Sequence, residues 1–129
     1  MPLERIHKQA FKASEATHCA GDQGMYWEMH DRLFENQKAL EPWSGHAGAL
    51  GLDVAAFDSC MTAGTHASGV RRDMAEASKA GATGTPSFIL ATTDPTDPTK
   101  VRGLAFIRGA QPFATFKAQI ESALSAVGE

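Results

Sequence analysis

"GATGTPSFIL", residues 81–90, sets a proline directly before the most strand-like run in the chain. Proline has no N–H to donate to a sheet ladder, so Pro86 has two interpretations. It either marks the first residue of a strand with an ordinary trans bond, or forms a cis bond with Thr85 that exposes the neighbouring backbone in a tight turn. Under both interpretations a strand starts directly after Pro86, and the character of the sequence changes there.

The sequence before this stretch has the periodicity of helices. Apolar residues recur at three- and four-residue spacing over 3–21 and again over 24–37. The glycine-rich segment that follows allows at most a short helical turn over 44–50. A third helix is predicted over 53–64, between a capping aspartate and a stop glycine, and a fourth over 66–79.

The second of these helices carries the clearest apolar stripe. Its members follow one another at helical spacing and are therefore expected to face a core: Tyr26, Met29, His30, Leu33, Phe34 and Gln37. Both tryptophans, Trp27 and Trp43, are also expected in the core rather than in a ligand site.

The sequence after Gly84 predicts two strands and a helix. The strands are expected over 87–91 and 101–107, joined by a turn-rich loop with two Asp-Pro pairs, and the helix follows Pro112. A two-stranded sheet is marginal in water, so this one needs helices packed on it or further strands. The fold class is therefore α/β, with four to five helices over 1–82 followed by a ββα part over 83–129.

Composition and charge exclude several classes of function. The chain has 129 residues, of which 43% are hydrophobic, enough for one globular domain with a modest core. Twelve basic against fifteen acidic residues give a net charge of 12 − 15 = −3, with no basic block, so nucleic acid is not expected as a partner. No apolar run is long enough to span a bilayer, and the N-terminal segment lacks the pattern of a signal peptide.

The two cysteines, Cys19 and Cys60, lie too far apart in sequence for a Cys-x-x-Cys motif. Two alternatives remain open for them. They either form a structural disulfide between the first and third helices, or remain as two buried thiols.

Five histidines raise the question of a metal site: His7, His18, His30, His46 and His66. No two of them are spaced i, i+4 on one helix, and no Cys-x-x-Cys completes a zinc-ligand set. We therefore expect no metal site and no cofactor.

Four segments, taken in order, point to a known family. They are "CAGDQGMYWEMHDRLFENQ" (19–37), "LGLDVAAFDSCM" (50–61), "GATGTPSFIL" (81–90) and "GAQPFATFKAQIESAL" (109–124). In that order and spacing the chain resembles the DsbA-like thiol–disulfide oxidoreductases of bacterial envelopes, which have a thioredoxin fold with a helical insertion. The resemblance covers nearly the whole chain and matches the C-terminal two-thirds of a family member. The thioredoxin-like fold is thus expected in truncated form, either as a fragment or as a natural variant.

The resemblance implies roles for particular residues. In the family, the proline of the Gly-Thr-Pro triplet is cis and lies against the reactive dithiol, so Gly84, Thr85 and Pro86 are expected to bind substrate. The substrates are extended polypeptides that contain cysteines, and the compartment is the periplasm or cell envelope. The Cys-x-x-Cys dithiol has no counterpart here, so we expect no catalytic residue in this chain.

Two other functions and one assembly remain open. The chain could be a non-catalytic peptide-binding module of the same fold, or a relative of the glutathione-dependent isomerases that use serine in place of the first cysteine. The strand at 87–91 would leave one edge unpaired, which predicts a homodimer through that edge.

Overall fold

The computed structural model describes residues 2–127, which contain six helices and two strands. The elements are α1 (Ala10–Gly21), α2 (Tyr26–Glu35), α3 (Trp43–Ala49), α4 (Val54–Ala63), α5 (Ala67–Lys79), β1 (Ser87–Thr93), β2 (Val101–Arg108) and α6 (Phe113–Val127). The described residues form two compact units, one that ends at Lys79 and one that starts at Ala80. Five helices, a β-hairpin and a final helix confirm the predicted helix-rich, truncated thioredoxin-like layout.

Helix α1 is the centre of the helical unit. It contacts α2, α4 and α5, while α3 contacts α2 and α4. The buried cluster is formed by small residues of α1 and larger ones of the other helices: Ala16, Cys19, Ala20, Met29, Leu33, Ala47, Phe57 and Met61. The apolar stripe predicted for α2 is narrower than expected, because only Met29 and Leu33 are buried in that helix.

Helix α1 begins later than its periodicity predicts. Residues 3–9 form turns, and most of them, including Ile6, are exposed. Gln9 at the N-cap makes no side-chain capping bond. A short helical segment without packing partners is marginal in water, so the helix starts only where its apolar face meets the core.

Helix α4 begins and ends where the sequence predicts. The Asp53 carboxylate accepts a hydrogen bond from the Ala56 N–H at 3.0 Å, which caps the first turn. Gly64 follows the last turn with φ +62°, a conformation that glycine adopts without a side-chain clash. The side-chain amide of Gln23 donates to the Asp53 carbonyl and accepts from the Asp53 N–H, and so links the α1–α2 turn to the start of α4.

The C-terminal unit is an antiparallel hairpin with one helix. Strands β1 and β2 pair from Ser87↔Arg108 to Thr93↔Val101, with a register shift between Leu90 and Ala91. Helix α6 contacts β2, and the Phe116 ring meets the Phe88 ring edge to face at 5.0 Å. The strands extend beyond the predicted bounds, since β1 runs on to Thr93.

The loop between the strands is ordered by two aspartates. Asp94 Oδ1 accepts the Thr96 hydroxyl at 2.6 Å and the Thr96 N–H at 2.8 Å, and these hydrogen bonds lower the pKa of Asp94. The Thr99 hydroxyl lowers the pKa of Asp97 in the same way. The prolines of this loop have no N–H to donate to a neighbouring strand, so these side-chain hydrogen bonds hold the loop in place of sheet hydrogen bonds.

We predict that Phe57→Ala lowers the free energy of unfolding by about 3–5 kcal/mol, because it leaves a cavity in the helical core. Phe57 is fully buried, whereas Phe34 is 63% exposed in the same unit. The matched variant Phe34→Ala is therefore expected to change stability by less than about 0.5 kcal/mol. Urea unfolding followed by circular dichroism measures both, and equal effects would contradict the assignment of the core.

Candidate functional site

The Gly84-Thr85-Pro86 segment lies directly before β1. Thr85 and Pro86 are both exposed, and the bond between them is cis. The Pro86 carbonyl accepts the Gly109 N–H at 2.9 Å, and the Gly84 carbonyl accepts the Ser87 hydroxyl at 2.7 Å. Within residues 2–127, no hydrogen bond involves the Thr85 N–H or carbonyl. Among the described residues, the free backbone groups of this segment are therefore the Gly84 N–H and both groups of Thr85.

A second cis bond, Glu41–Pro42, lies just before α3 in the helical unit. The local sequence offers no signal for it beyond the proline itself. The following residue, Trp43, is partly buried against the core, in line with its expected place. Trp27 differs from its prediction, since it is 68% exposed and lies edge to face with His30.

Cys19 and Cys60 form a disulfide, one of the two alternatives that the sequence leaves open. The bond joins the end of α1 to α4, with the two Cα atoms 5.9 Å apart. Cys19 is almost fully buried and Cys60 is partly exposed. One face of the disulfide therefore belongs to the core and the other approaches solvent.

Polar and aromatic side chains surround the exposed side of this disulfide. His66 Nε2 lies 2.8 Å from Asp22 Oδ2, and the same oxygen lies 3.7 Å from Cys60 Sγ. The His18 ring stacks on the His66 ring at 5.3 Å and meets the Tyr26 ring edge to face. The ends of α1 and α4 and the start of α5 thus meet at one cluster, which sequence spacing does not reveal.

Glu15 is a buried acidic residue in α1. Its residue surface is 1% exposed, and Lys12 Nζ lies 2.8 Å from Glu15 Oε2. That approach satisfies the distance of an ion pair but not the angles of a hydrogen bond, and the described residues offer neither carboxylate oxygen another donor. Lys12 also donates to the Met61 carbonyl at 3.4 Å, so its charge lies between α1 and α4.

His46 has a structural role in the helical unit. The Arg32 Nε–H donates to His46 Nδ1 at 3.1 Å, which leaves the ring proton on Nε2 to donate to the Ala39 carbonyl at 3.0 Å. Both ring nitrogens are thereby used. A buried histidine with two hydrogen bonds holds the segment before α3 in place and is not free to bind a ligand.

The family model of the DSBA-like thioredoxin domain matches residues 1–121. The chain belongs to this family. The match confirms the resemblance drawn from the four segments and includes both the Gly84-Thr85-Pro86 segment and the two cysteines. Thiol–disulfide oxidoreductases are thus the family context of both candidate sites.

The similar proteins in the curated set are sodium/proton antiporters. NhaA 1 of Salinispora arenicola (strain CNS-205) is 37% identical over 92 residues, which are 70% of this chain and 14% of that protein. NhaA 1 of Mycolicibacterium vanbaalenii is 47% identical over 60 residues, 44% of this chain and 10% of that protein. NhaA of Herminiimonas arsenicoxydans is 39% identical over 80 residues, 60% of this chain and 13% of that protein.

The DSBA-like chain therefore spans only a small part of the length of these relatives. No solved structure matches it significantly. Over the described residues, none of the helices combines the length and the apolar character required to cross a bilayer.

We predict that replacing both cysteines, Cys19→Ala with Cys60→Ala, lowers the free energy of unfolding by about 3–4 kcal/mol. The disulfide closes a loop of 41 residues, and removing it frees the unfolded chain. Denaturant unfolding with and without a reductant measures the effect. The reduced wild type should match the double variant, and an oxidised wild type no more stable than the variant would contradict the prediction.

Proposed function

We propose that the chain is part of a DsbA-like thiol–disulfide oxidoreductase that acts on extended, cysteine-containing polypeptides, and that these dock at Gly84-Thr85-Pro86. The observation that carries the proposal is the exposed backbone of Thr85, which has no partner among the described residues. Extended peptides bind by adding a strand to unpaired backbone groups, and Thr85 offers both a donor and an acceptor.

The neighbouring hydrogen bonds limit where a substrate can bind. The carbonyls of Gly84 and Pro86 already accept the Ser87 hydroxyl and the Gly109 N–H. These bonds fix the backbone on both sides of Thr85. A docked peptide would therefore make its central pair of hydrogen bonds with Thr85, on a segment that does not need to reorganise.

The chemistry would be thiol–disulfide exchange. A thiolate attacks one sulfur of a disulfide, which forms a mixed disulfide between enzyme and substrate and releases the other sulfur as a thiolate. A second thiolate then attacks the mixed disulfide, and the remaining partner leaves as a thiolate. Cys19 and Cys60 do not fit this role, since they are 41 positions apart and Cys19 is almost fully buried. We therefore place the reactive dithiol outside these 129 residues, where a thiolate could lie against Thr85 and be stabilised by its hydroxyl.

The disulfide also supports the location of this protein in an oxidising compartment. Structural disulfides persist in the periplasm and at cell surfaces and are rare in the cytosol. Members of the DSBA-like family are typically extracytoplasmic. The disulfide and the family together favour the periplasm or cell envelope as the location of the protein that contains the chain.

The relatives favour a second candidate function. The similar curated proteins are named as sodium/proton antiporters, and the matched segment is a small part of each. On this hypothesis the chain is a non-catalytic peptide-binding domain within a longer membrane transporter. The coding sequence upstream of Met1 separates the candidates: a Cys-x-x-Cys segment supports the oxidoreductase, a lone serine the isomerase-like relative, and neither the binding domain.

We predict that an extended peptide with an S-methylated cysteine shifts the backbone amide signals of Thr85 and Ser87 in the NMR spectrum of the full chain. Thr85→Pro removes the N–H donor and should weaken peptide binding about 5- to 10-fold, the effect of one hydrogen bond worth about 1 kcal/mol. The matched variant Thr85→Val keeps that N–H and should bind as the wild type does.

Two results would contradict this proposal. One is a set of amide shifts that leaves residues 84–87 unchanged, and the other is equal peptide affinity for Thr85→Pro and Thr85→Val. The chain alone should also leave the reduction of insulin by dithiothreitol at its uncatalysed rate, because the two cysteines are not a Cys-x-x-Cys pair. Turnover above that rate would place a reactive dithiol in this chain.

We also predict that the isolated chain self-associates through β1. The hairpin has only two strands among the described residues, and Ile89 is 53% exposed on β1. An unpaired strand edge with exposed apolar residues is a template for another strand. Sedimentation at increasing protein concentration should show a dimer that Ile89→Lys weakens.

The control for this experiment is Ile6→Lys. Ile6 is 70% exposed and belongs to the helical unit, far from both strands in sequence. The substitution adds the same charge outside the hairpin sequence and should leave the dimer unchanged. A strictly monomeric wild type, or equal weakening by both variants, would rule out association through β1.

A further inference from the structure

We propose that the helical unit contains a latent zinc site, which forms when the Cys19–Cys60 disulfide is reduced. The ligands would be the two cysteine thiolates and one ring nitrogen of His66. One ligand atom from each of these three residues lies within 4.8 Å of the other two. The site is separate from the proposed peptide-docking segment and does not depend on it.

The spacing of these atoms suits a tetrahedral zinc ion. Zinc binds thiolate sulfur at about 2.3 Å and imidazole nitrogen at about 2.0–2.1 Å, so ligand atoms around it are separated by roughly 3.6–3.8 Å. The His66 nitrogen lies within 4.8 Å of both sulfurs, about 1 Å beyond this range at most. Reduction removes the covalent bond between the sulfurs, which then separate by side-chain rotation. The Cα atoms, 5.9 Å apart, stay within reach of one ion.

Three elements of the fold hold the ligands in place. Cys19 lies near the end of α1, Cys60 lies in α4, and His66 directly precedes α5. Only five residues separate Cys60 from His66, and Gly64 makes the turn between them. The helix packing that supports the disulfide would thus also preorganise the metal ligands, because both use the same side chains.

Asp22 supplies the remaining polar contact. Its Oδ2 atom lies 2.8 Å from His66 Nε2 and 3.7 Å from Cys60 Sγ. A carboxylate in this place can orient the imidazole, as in many zinc sites, or take the fourth position itself. The Asp22 side chain is 52% exposed and that of His66 is 26% exposed, so an ion can reach the cluster from solvent.

The chemistry balances with an external thiol reductant. A dithiol reduces the protein disulfide by exchange and becomes a disulfide itself, which leaves two protein thiols. Zinc binding then releases one proton from each thiol, and the ion is held by two thiolates. The oxidised form has no thiolate to offer. Zinc and the disulfide therefore exclude each other, and the cluster becomes a redox-dependent metal site.

The sequence alone predicts no metal site, because the ligands do not share a helix or a motif. Cysteines 41 positions apart and a histidine six residues further on match no zinc-ligand spacing. The cluster becomes visible only when α1, α4 and the α4–α5 turn come together. A second His–Asp pair in the same unit, His30 with Asp31 at 2.9 Å, lies away from both cysteines in sequence and provides a matched control.

The test uses the full chain and cobalt as a spectroscopic substitute for zinc. The chain is reduced with a phosphine, which takes oxygen from water as each sulfur gains a proton, and is then titrated with Co²⁺ without oxygen. We expect one equivalent to bind, with visible and near-ultraviolet absorption typical of tetrahedral cobalt–thiolate sites, and zinc to displace it. The oxidised chain should show no such absorption. Circular dichroism before and after metal addition follows the helical unit.

The variants identify the ligands. His66→Ala should weaken cobalt binding by at least about tenfold, Asp22→Asn should weaken it by about tenfold, and His30→Ala should leave it unchanged. Three results would overturn the proposal. The oxidised and reduced chains could bind cobalt equally well, the wild type and His66→Ala could have equal cobalt affinity, or the reduced chain could lose its helicity and not regain it with zinc.

Discussion

The close packing of α1 is the constraint on which the helical unit depends. Ala16 and Ala20 are completely buried on this helix, and α2, α4 and α5 all contact it. Small side chains let neighbouring helices approach, and a larger residue at either position would push them apart. The same approach sets the 5.9 Å between the Cα atoms of Cys19 and Cys60. The buried alanines of α1 thus allow the close helix approach that the disulfide requires.

Glu15 shows that this packing tolerates one charged residue. A buried carboxylate is costly unless a counter-charge lies nearby, and here Lys12 supplies it from the previous turn of α1. Lys12 also reaches the carbonyl of Met61, one of the last four of α4, which have no partner within their own helix. The pair thus joins α1 to the end of α4, where the Glu15 carboxylate lies beside Gly64.

Local signals in the sequence predict some boundaries and miss others. The cap at Asp53 and the stop at Gly64 identify α4 correctly, because both act through their own backbone neighbours. The predicted start of α1 is wrong. The apolar periodicity over 3–9 does not reveal that these residues have nothing to pack against. The position of Thr85 and Pro86 before a strand follows from the sequence. The meeting of Cys60, His66 and Asp22 does not, because it depends on how the helices pack.

The two units differ in how much apolar surface they bury. All but one of the buried apolar residues in the described part of the chain belong to the helical unit, and the exception is Ile107 of β2. Most large apolar residues of the C-terminal unit are exposed, among them Ile89, Leu104 and Phe113, and so is Thr85, whose backbone groups have no partner among the described residues. A hairpin with so little buried surface depends on what covers it, whether further strands, a second copy or a docked peptide. The helical unit has its own buried core around the disulfide, so the proposed metal site lies where that core can hold the ligands together after reduction.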